Sequence, residues 1–152
     1  MAHLNSLGLL LVRTLFLFIA FLVATTFSAA TDNCFEADAQ TAGNATDSMK
    51  SWTSIYSGFK RFWNCDDGGI AEGFTEAVVH LLASKWSSLP TVSVLIKKDP
   101  KFYKFFLRHI DASADTDELK KIYSLAQSEC PINLQKLCLA IQSKTQQAIG
   151  ES

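Results

Sequence analysis

The stretch MKSWTSIYSGFKRFW (residues 49–63) decides the fold class of this chain. Its large apolar residues recur at steps of three and one, the spacing that places side chains on one face of an α-helix. These residues are Met49, Trp52, Ile55, Tyr56, Phe59, Phe62 and Trp63. Asp47 or Ser48 is placed to cap the start of this helix, and the segment 64–69 ends it. The stretch predicts an amphipathic helix with a strongly apolar face.

The same helical spacing continues towards the C-terminus. A second helix is predicted up to Trp86, a third over 90–98, and a fourth after the Asp99-Pro100 start signal. A fifth follows the possible cap Asp115 and ends near Cys130, and a last one starts at about Pro131. Residues 91–96 are the only segment whose pattern also fits a strand. We therefore predict an all-α bundle of five to six helices as one domain over 47–152.

The first thirty residues have the pattern of an export signal. Arg13 precedes a charge-free apolar run over 15–27, and Ser28-Ala29-Ala30 supplies the small residues that a signal peptidase requires. Cleavage after Ala30 is the prediction; an uncleaved anchor is the alternative. Residues 31–46 are mostly small and polar and are predicted as a flexible N-terminal arm. Within this arm, Asn44-Ala45-Thr46 matches a glycosylation sequon, which matters only in a eukaryotic host.

Size and charge exclude several classes of partner. Removal of residues 1–30 leaves 122 residues, enough for one domain with its own core. All 15 acidic residues lie after position 30, whereas Arg13 lies before it, so the mature chain has a formal charge of −2. The only approach to a basic patch lies over 97–104 and is interrupted by Asp99. We therefore do not expect nucleic acid as a partner, since phosphate backbones demand concentrated positive charge.

The four cysteines of an exported chain predict two disulfides. Three pairings are open, and we favour Cys34–Cys65 with Cys130–Cys138, the second bond joining a turn to the helix that follows it. No CxxC motif and no paired Cys/His spacing suited to zinc occurs in the sequence. Neither a metal site nor a cofactor is therefore expected.

Two acidic segments are candidate partner-binding sites. Glu72, Glu76 and His80 are four residues apart and share one helix stripe. This stripe is either a carboxylate–imidazole site, as in a hydrolase, or a solvated helix face with a Glu–His pair. Asp66 and Asp67 precede two glycines and either present an acidic knob to a partner or cap the next helix.

Histidine and aromatic residues supply the remaining candidates. His109 lies near Asp111, but no nucleophile motif accompanies it, and we expect a charged histidine at a helix C-terminus rather than a catalytic residue. The aromatic residues Trp52, Tyr56, Phe59 and Trp63 are either core or the lining of an apolar ligand pocket. No residue is assigned a catalytic role.

These features are similar to those of the small exported immunity proteins that neutralise cell-wall-degrading toxins. The shared features are an export signal, about 120 mature residues, helical patterning and disulfides. The similarity transfers no site residue, because no motif matches residue by residue. The leading hypothesis is thus a non-enzymatic, exported module, periplasmic in a bacterial host or otherwise extracellular, that binds another exported protein.

Two other functions stay open. One is a carrier of a small apolar ligand, because secreted odorant-binding bundles have a similar size and helix content, although their pair of cysteines three residues apart is absent here. The other is a hydrolase that uses Glu72, Glu76 or His80.

Overall fold

The computed structural model describes residues 34–152, and within them the fold is all-α. The seven helices of this part are α1 (Glu36–Thr46), α2 (Trp52–Phe62), α3 (Gly68–Ser84), α4 (Leu89–Lys98), α5 (Pro100–Arg108), α6 (Thr116–Ser128) and α7 (Gln135–Glu151). Short 3₁₀ turns follow α2 at Trp63–Cys65 and precede α4 at Trp86–Ser88. The predicted fold class is confirmed, with more helices than expected. The proposed signal peptide lies outside the described residues.

The additional helix, α1, corrects the prediction of a flexible arm over 31–46. Ala42 and Thr46 of this helix are buried, and α1 packs against α2 and α3. Gly73 of α3 lies so close to α1 that a Cβ atom there would sit 2.5 Å from Thr46 Oγ1. The absence of a side chain at Gly73 therefore permits the close approach of α1 and α3.

Both predicted disulfides are present. Cys34–Cys65 joins the segment before α1 to the 3₁₀ turn after α2, and Cys130–Cys138 joins the α6–α7 connection to α7. The α6–α7 hairpin has the most extensive contact between two helices of the described chain. The first disulfide thus encloses α1 and α2, and the second closes the short connection before α7.

Several helix starts differ from those predicted. Ser51, rather than Asp47 or Ser48, caps α2 through a capping box with Ser54. Helix α7 begins at Gln135, since a turn over 131–134 intervenes after Cys130. Asp99 and Asp115 cap α5 and α6 as expected. Residues 91–96 are helical, so the competing strand does not form.

The core is rich in aromatic side chains contributed by α2, α3 and α5. Phe59 packs against Phe105 in a tilted arrangement with ring centroids 4.9 Å apart, and Phe105 meets Phe74 edge-on at 5.0 Å. Trp52 packs edge-on against Phe106, while its indole N–H donates to Ser88 Oγ at 2.6 Å. This packing fixes α2 and α5 side by side, which positions the surface around Trp63 described below.

Candidate functional site

An open groove of about 760 Å³ lies between α1, α3 and the start of α6. We call it the acidic groove. Its lining comprises Gly43, Thr46, Asp47, Gly69, Glu72, Gly73, Glu76, Val79, His80, Ser113, Ala114, Asp115 and Glu118. Five of these side chains are carboxylic acids, and they come from three separate parts of the sequence. A solvent-open, negatively charged groove is suited to a cationic ligand rather than to an apolar one.

The stripe predicted on α3 forms one wall of this groove. Glu72, Glu76 and His80 are exposed, and each lines the cavity. His80 Nδ1 lies 3.0 Å from Glu118 Oε1 of α6, so its partner is on another helix rather than one turn away at Glu76. The pair bridges the groove and leaves Glu72 and Glu76 free of any ion pair within residues 34–152.

The opposite wall was not predicted from the sequence. Asp47 follows α1, Asp115 caps α6 by accepting from the backbone N–H groups of Asp117 and Glu118, and Glu118 reaches His80. The capping pattern in the sequence indicates that Asp115 and Glu118 lie at the start of a helix. Local patterns do not show that this helix faces α3 across the groove.

The two residues of the second acidic candidate, Asp66 and Asp67, have different roles. Asp67 is exposed and accepts from the N–H of Gly68, whose φ of +50° lies in the left-handed region that favours glycine. Asp66 is not an acidic knob, because its side chain is only 2% exposed, forms an ion pair with Arg108 and lies 3.1 Å from the His109 ring. The hypothesis of partner contact through Asp66 is therefore wrong, since α5 covers this carboxylate.

A buried polar network surrounds His109 at the end of α5. Its Nε2 lies 3.1 Å from Asp66 Oδ2, and its Nδ1 lies 3.1 Å from Thr75 Oγ1. The Thr75 hydroxyl in turn lies 3.0 Å from Asp111 Oδ2. Neutral His109 has one ring N–H, and Thr75 has one hydroxyl hydrogen. Only two of these three contacts can therefore be hydrogen bonds at the same time.

The environment of His109 disfavours its charged form. Burial, as the largest cause, and the adjacent Arg108 guanidinium together lower the pKa of His109 from 6.5 to about 4, against the opposing effect of Asp111. Arg108 also neutralises Asp66. This corrects the expectation of a charged histidine at a helix C-terminus. Burial alone would raise the pKa of Asp111, but hydrogen bonds from Ser113 and Thr75 outweigh it and hold that pKa below its usual value.

The aromatic candidates do not enclose a cavity together. Trp52 and Phe59 are buried in the core, Tyr56 is partly buried, and the Trp63 side chain projects to the surface with 54% exposure. Trp63 and Phe59 border two adjoining shallow cavities. One, of about 350 Å³, also has Lys60 and Lys101 in its wall; the other, of about 190 Å³, has Asp66, Lys104, Phe105 and Arg108.

We call the surface formed by Phe59, Lys60, Trp63, Lys101, Lys104 and Arg108 the Trp63 surface. Lys101, Lys104 and Arg108 follow each other at steps of three and four, which places them on one stripe of α5. That spacing is visible in the sequence, but its meeting with Trp63 requires the packing of α2 against α5.

Comparisons and searches for common site types give no assignment. No protein-family model, curated protein or solved structure matches this chain. Within residues 34–152, no group of three or more His, Cys, Asp and Glu side chains has a metal-binding arrangement. In the same part of the chain, no helix combines the length and apolar character needed to cross a membrane.

Proposed function

We propose that this chain is a non-enzymatic, exported protein-binding module whose acidic groove receives a basic segment of another exported protein. The observation that carries the proposal is the convergence of Asp47, Glu72, Glu76, Asp115 and Glu118 on one open groove of about 760 Å³. Carboxylates facing each other across a groove create a negative potential that attracts a cationic segment and orients it.

The scaffold beneath the groove supports this role. Close packing of Gly73 against Thr46 holds α1 against α3, and the Cys34–Cys65 disulfide ties down the segment before α1. A rigid surface loses little conformational entropy when a partner binds, which favours specific recognition. The groove therefore has the fixed walls that a protein-binding module needs.

The two other functions have less support. A carrier needs an enclosed apolar cavity, whereas Trp52 and Phe59 are packed into the core and the cavities beside Trp63 are shallow. A hydrolase at Glu72, Glu76 or His80 needs a positioned acid and base, whereas His80 is exposed and paired with Glu118.

The test is a comparison of binding between the protein and two charge variants. The groove variant Glu72→Gln/Glu76→Gln removes two carboxylates from the groove, and the control Glu36→Gln/Asp38→Asn removes two exposed carboxylates from the first turn of α1. Each oxidised protein is used as bait against envelope extract, with bound proteins identified by mass spectrometry. Thermal unfolding of all three proteins checks that the fold is retained.

The expected result is a stoichiometric partner that the control retains and the groove variant binds about tenfold more weakly, with affinity falling as salt rises. A partner that is a cell-wall-degrading toxin would identify the narrower immunity role. Equal binding by the groove variant would contradict the proposal, as would co-purification of an apolar small molecule in place of any protein.

A further inference from the structure

The Trp63 surface lies outside the acidic groove and shares none of its lining residues. Four of its six side chains are cationic, and they surround an exposed indole. Lys60 pairs with Asp99 at 3.2 Å and Arg108 pairs with Asp66, whereas Lys101 and Lys104 form no ion pair with any carboxylate of residues 34–152. Lys101 and Lys104 are therefore available, beside an exposed tryptophan, to pair with an anionic ligand.

We propose that the Trp63 surface binds an acidic polysaccharide, a chain of sugar rings that carry carboxylate groups. The exposed indole of Trp63 supplies a flat apolar platform for the C–H face of a sugar ring. Lys101 and Lys104 lie beside that platform and pair with the ring carboxylates. Two adjoining cavities that share Phe59 and Trp63 suit an extended ligand that places successive rings along the surface.

The Asp66 carboxylate distinguishes this ligand from other anions. It forms part of the wall of the smaller cavity, and its Oδ1 is buried with no hydrogen-bond donor among the described residues. An unpartnered buried carboxylate oxygen costs free energy, and a shift of the exposed Arg108 side chain that covers it would open Asp66 to a hydroxyl donor of a bound sugar. A DNA phosphodiester chain has no free hydroxyl groups along its length, whereas each sugar ring has hydroxyl groups that can donate to this oxygen.

A membrane surface fits these observations less well. Insertion into lipid requires a continuous apolar patch, whereas Trp63 is the single large exposed apolar residue of this surface and lysines surround it. The shallow concave shape of the two cavities also matches a chain of rings rather than a flat bilayer.

The test uses short oligogalacturonates, which carry one carboxylate per ring, as the probe. Binding to the oxidised protein is measured by isothermal titration calorimetry and by tryptophan fluorescence. Neutral dextran oligosaccharides, a thymidine oligonucleotide and phosphatidylglycerol vesicles are titrated in parallel. The expected result is saturable binding of the oligogalacturonate that weakens as salt is raised from about 50 to 300 mM.

Three variants locate the site. Trp63→Ala is expected to weaken binding by about tenfold, and Lys101→Gln/Lys104→Gln by about fivefold, because stacking and charge pairing are lost separately. The control Lys120→Gln/Lys121→Gln removes two exposed lysines from α6 and is expected to bind as the unmodified protein does. Thermal unfolding verifies each fold, and the lysine variant tests the site even if Trp63→Ala is unstable.

The proposal is overturned if the oligogalacturonate fails to bind, if neutral dextran binds equally well, or if only the oligonucleotide or the vesicles bind. It is also overturned if the α6 control weakens binding as much as the α5 variant. The groove variant Glu72→Gln/Glu76→Gln is expected to retain oligogalacturonate binding, so failure of this proposal and failure of the proposed function are distinguishable.

Discussion

The Nε2 atom of His109 lies 3.1 Å from Oδ2 of Asp66, and the two side chains are only 1% and 2% exposed. This contact joins the end of α5 to the turn between α2 and α3. It also gives the two neighbouring aspartates different roles. Asp66 points inward to His109, whereas Asp67 remains exposed and caps α3. The burial of His109 makes the stability of the fold dependent on pH.

We expect the free energy of unfolding to fall as the pH is lowered from 6.5 towards 4. The pKa of His109 is lowered to about 4 in the folded protein, so the unfolded chain binds this proton more tightly. Protonation between pH 6.5 and 4 therefore stabilises the unfolded chain relative to the folded protein. The shift corresponds to a decrease of about 3 kcal/mol in the free energy of unfolding, and this decrease is complete below pH 4. Urea unfolding at a series of pH values measures it.

The control for this prediction is His80→Gln, which alters an exposed histidine and is expected to keep the same pH dependence. His109→Gln is expected to flatten the dependence between pH 6.5 and 4. An NMR titration of the His109 ring in the unmodified protein provides the same information if that variant does not fold. Titration of the His109 ring near its ordinary value would contradict the prediction. Asp99 and Asp111, whose pKa values lie below the usual 3.8, act only in a more acidic range.

The two disulfides are expected to contribute unequally to stability. Cys34–Cys65 closes a separation of 31 residues and Cys130–Cys138 one of 8. Loop-closure entropy gives about 3–4 kcal/mol for the first bond and about 2–3 kcal/mol for the second. The double variants Cys34→Ala/Cys65→Ala and Cys130→Ala/Cys138→Ala serve as controls for each other in urea unfolding. A larger loss from the second variant would show that loop closure does not dominate.

Gly73→Ala is expected to destabilise the protein and loosen α1. Its new Cβ would lie 2.5 Å from Thr46 Oγ1 and 2.8 Å from Thr46 Cβ, so the two helices must separate. Overpacking of this kind costs about 1–3 kcal/mol. Thermal unfolding measures the loss, and hydrogen exchange of the α1 amides shows whether the helix loosens.

The matched control is Gly43→Ala on α1, because a Cβ there meets nothing within 4 Å. Alanine is the better helix former, so this variant is expected to gain about 0.5–1 kcal/mol. Similar losses in both variants would mean that contact with Thr46 is not the cause.

Trp63 is expected to account for most of the collisional quenching of tryptophan fluorescence by acrylamide. Its 54% exposure contrasts with 3% for Trp52 and 7% for Trp86. The Trp86 indole is moreover held by the carbonyl oxygen of Glu129 at 2.8 Å. Trp63→Phe should therefore remove most of the quenching while leaving the unfolding temperature nearly unchanged. Quenching that persists in this variant would show that a buried tryptophan becomes accessible.

Sequence patterns predicted those features that depend on neighbouring residues. The step of three and one along 49–63 predicted α2, and Asp99-Pro100 and Asp115 predicted two helix starts correctly. The arm over 31–46 was predicted wrongly because its small residues have little helical patterning of their own. Its stability as α1 comes from burial of Ala42 and Thr46 against distant elements.

The sequence by itself determined the all-α class, the apolar helix faces, the cysteine count and the α5 stripe of cations, because periodicity and composition are local properties. Only the tertiary structure decided that Asp66 is buried, that Trp63 is exposed, and that Glu72 and Glu76 face Asp115 across a groove. These features depend on which helices pack together. That packing depends on how the side chains of distant segments fit together and exclude water. The pattern of neighbouring residues along the chain does not contain this information.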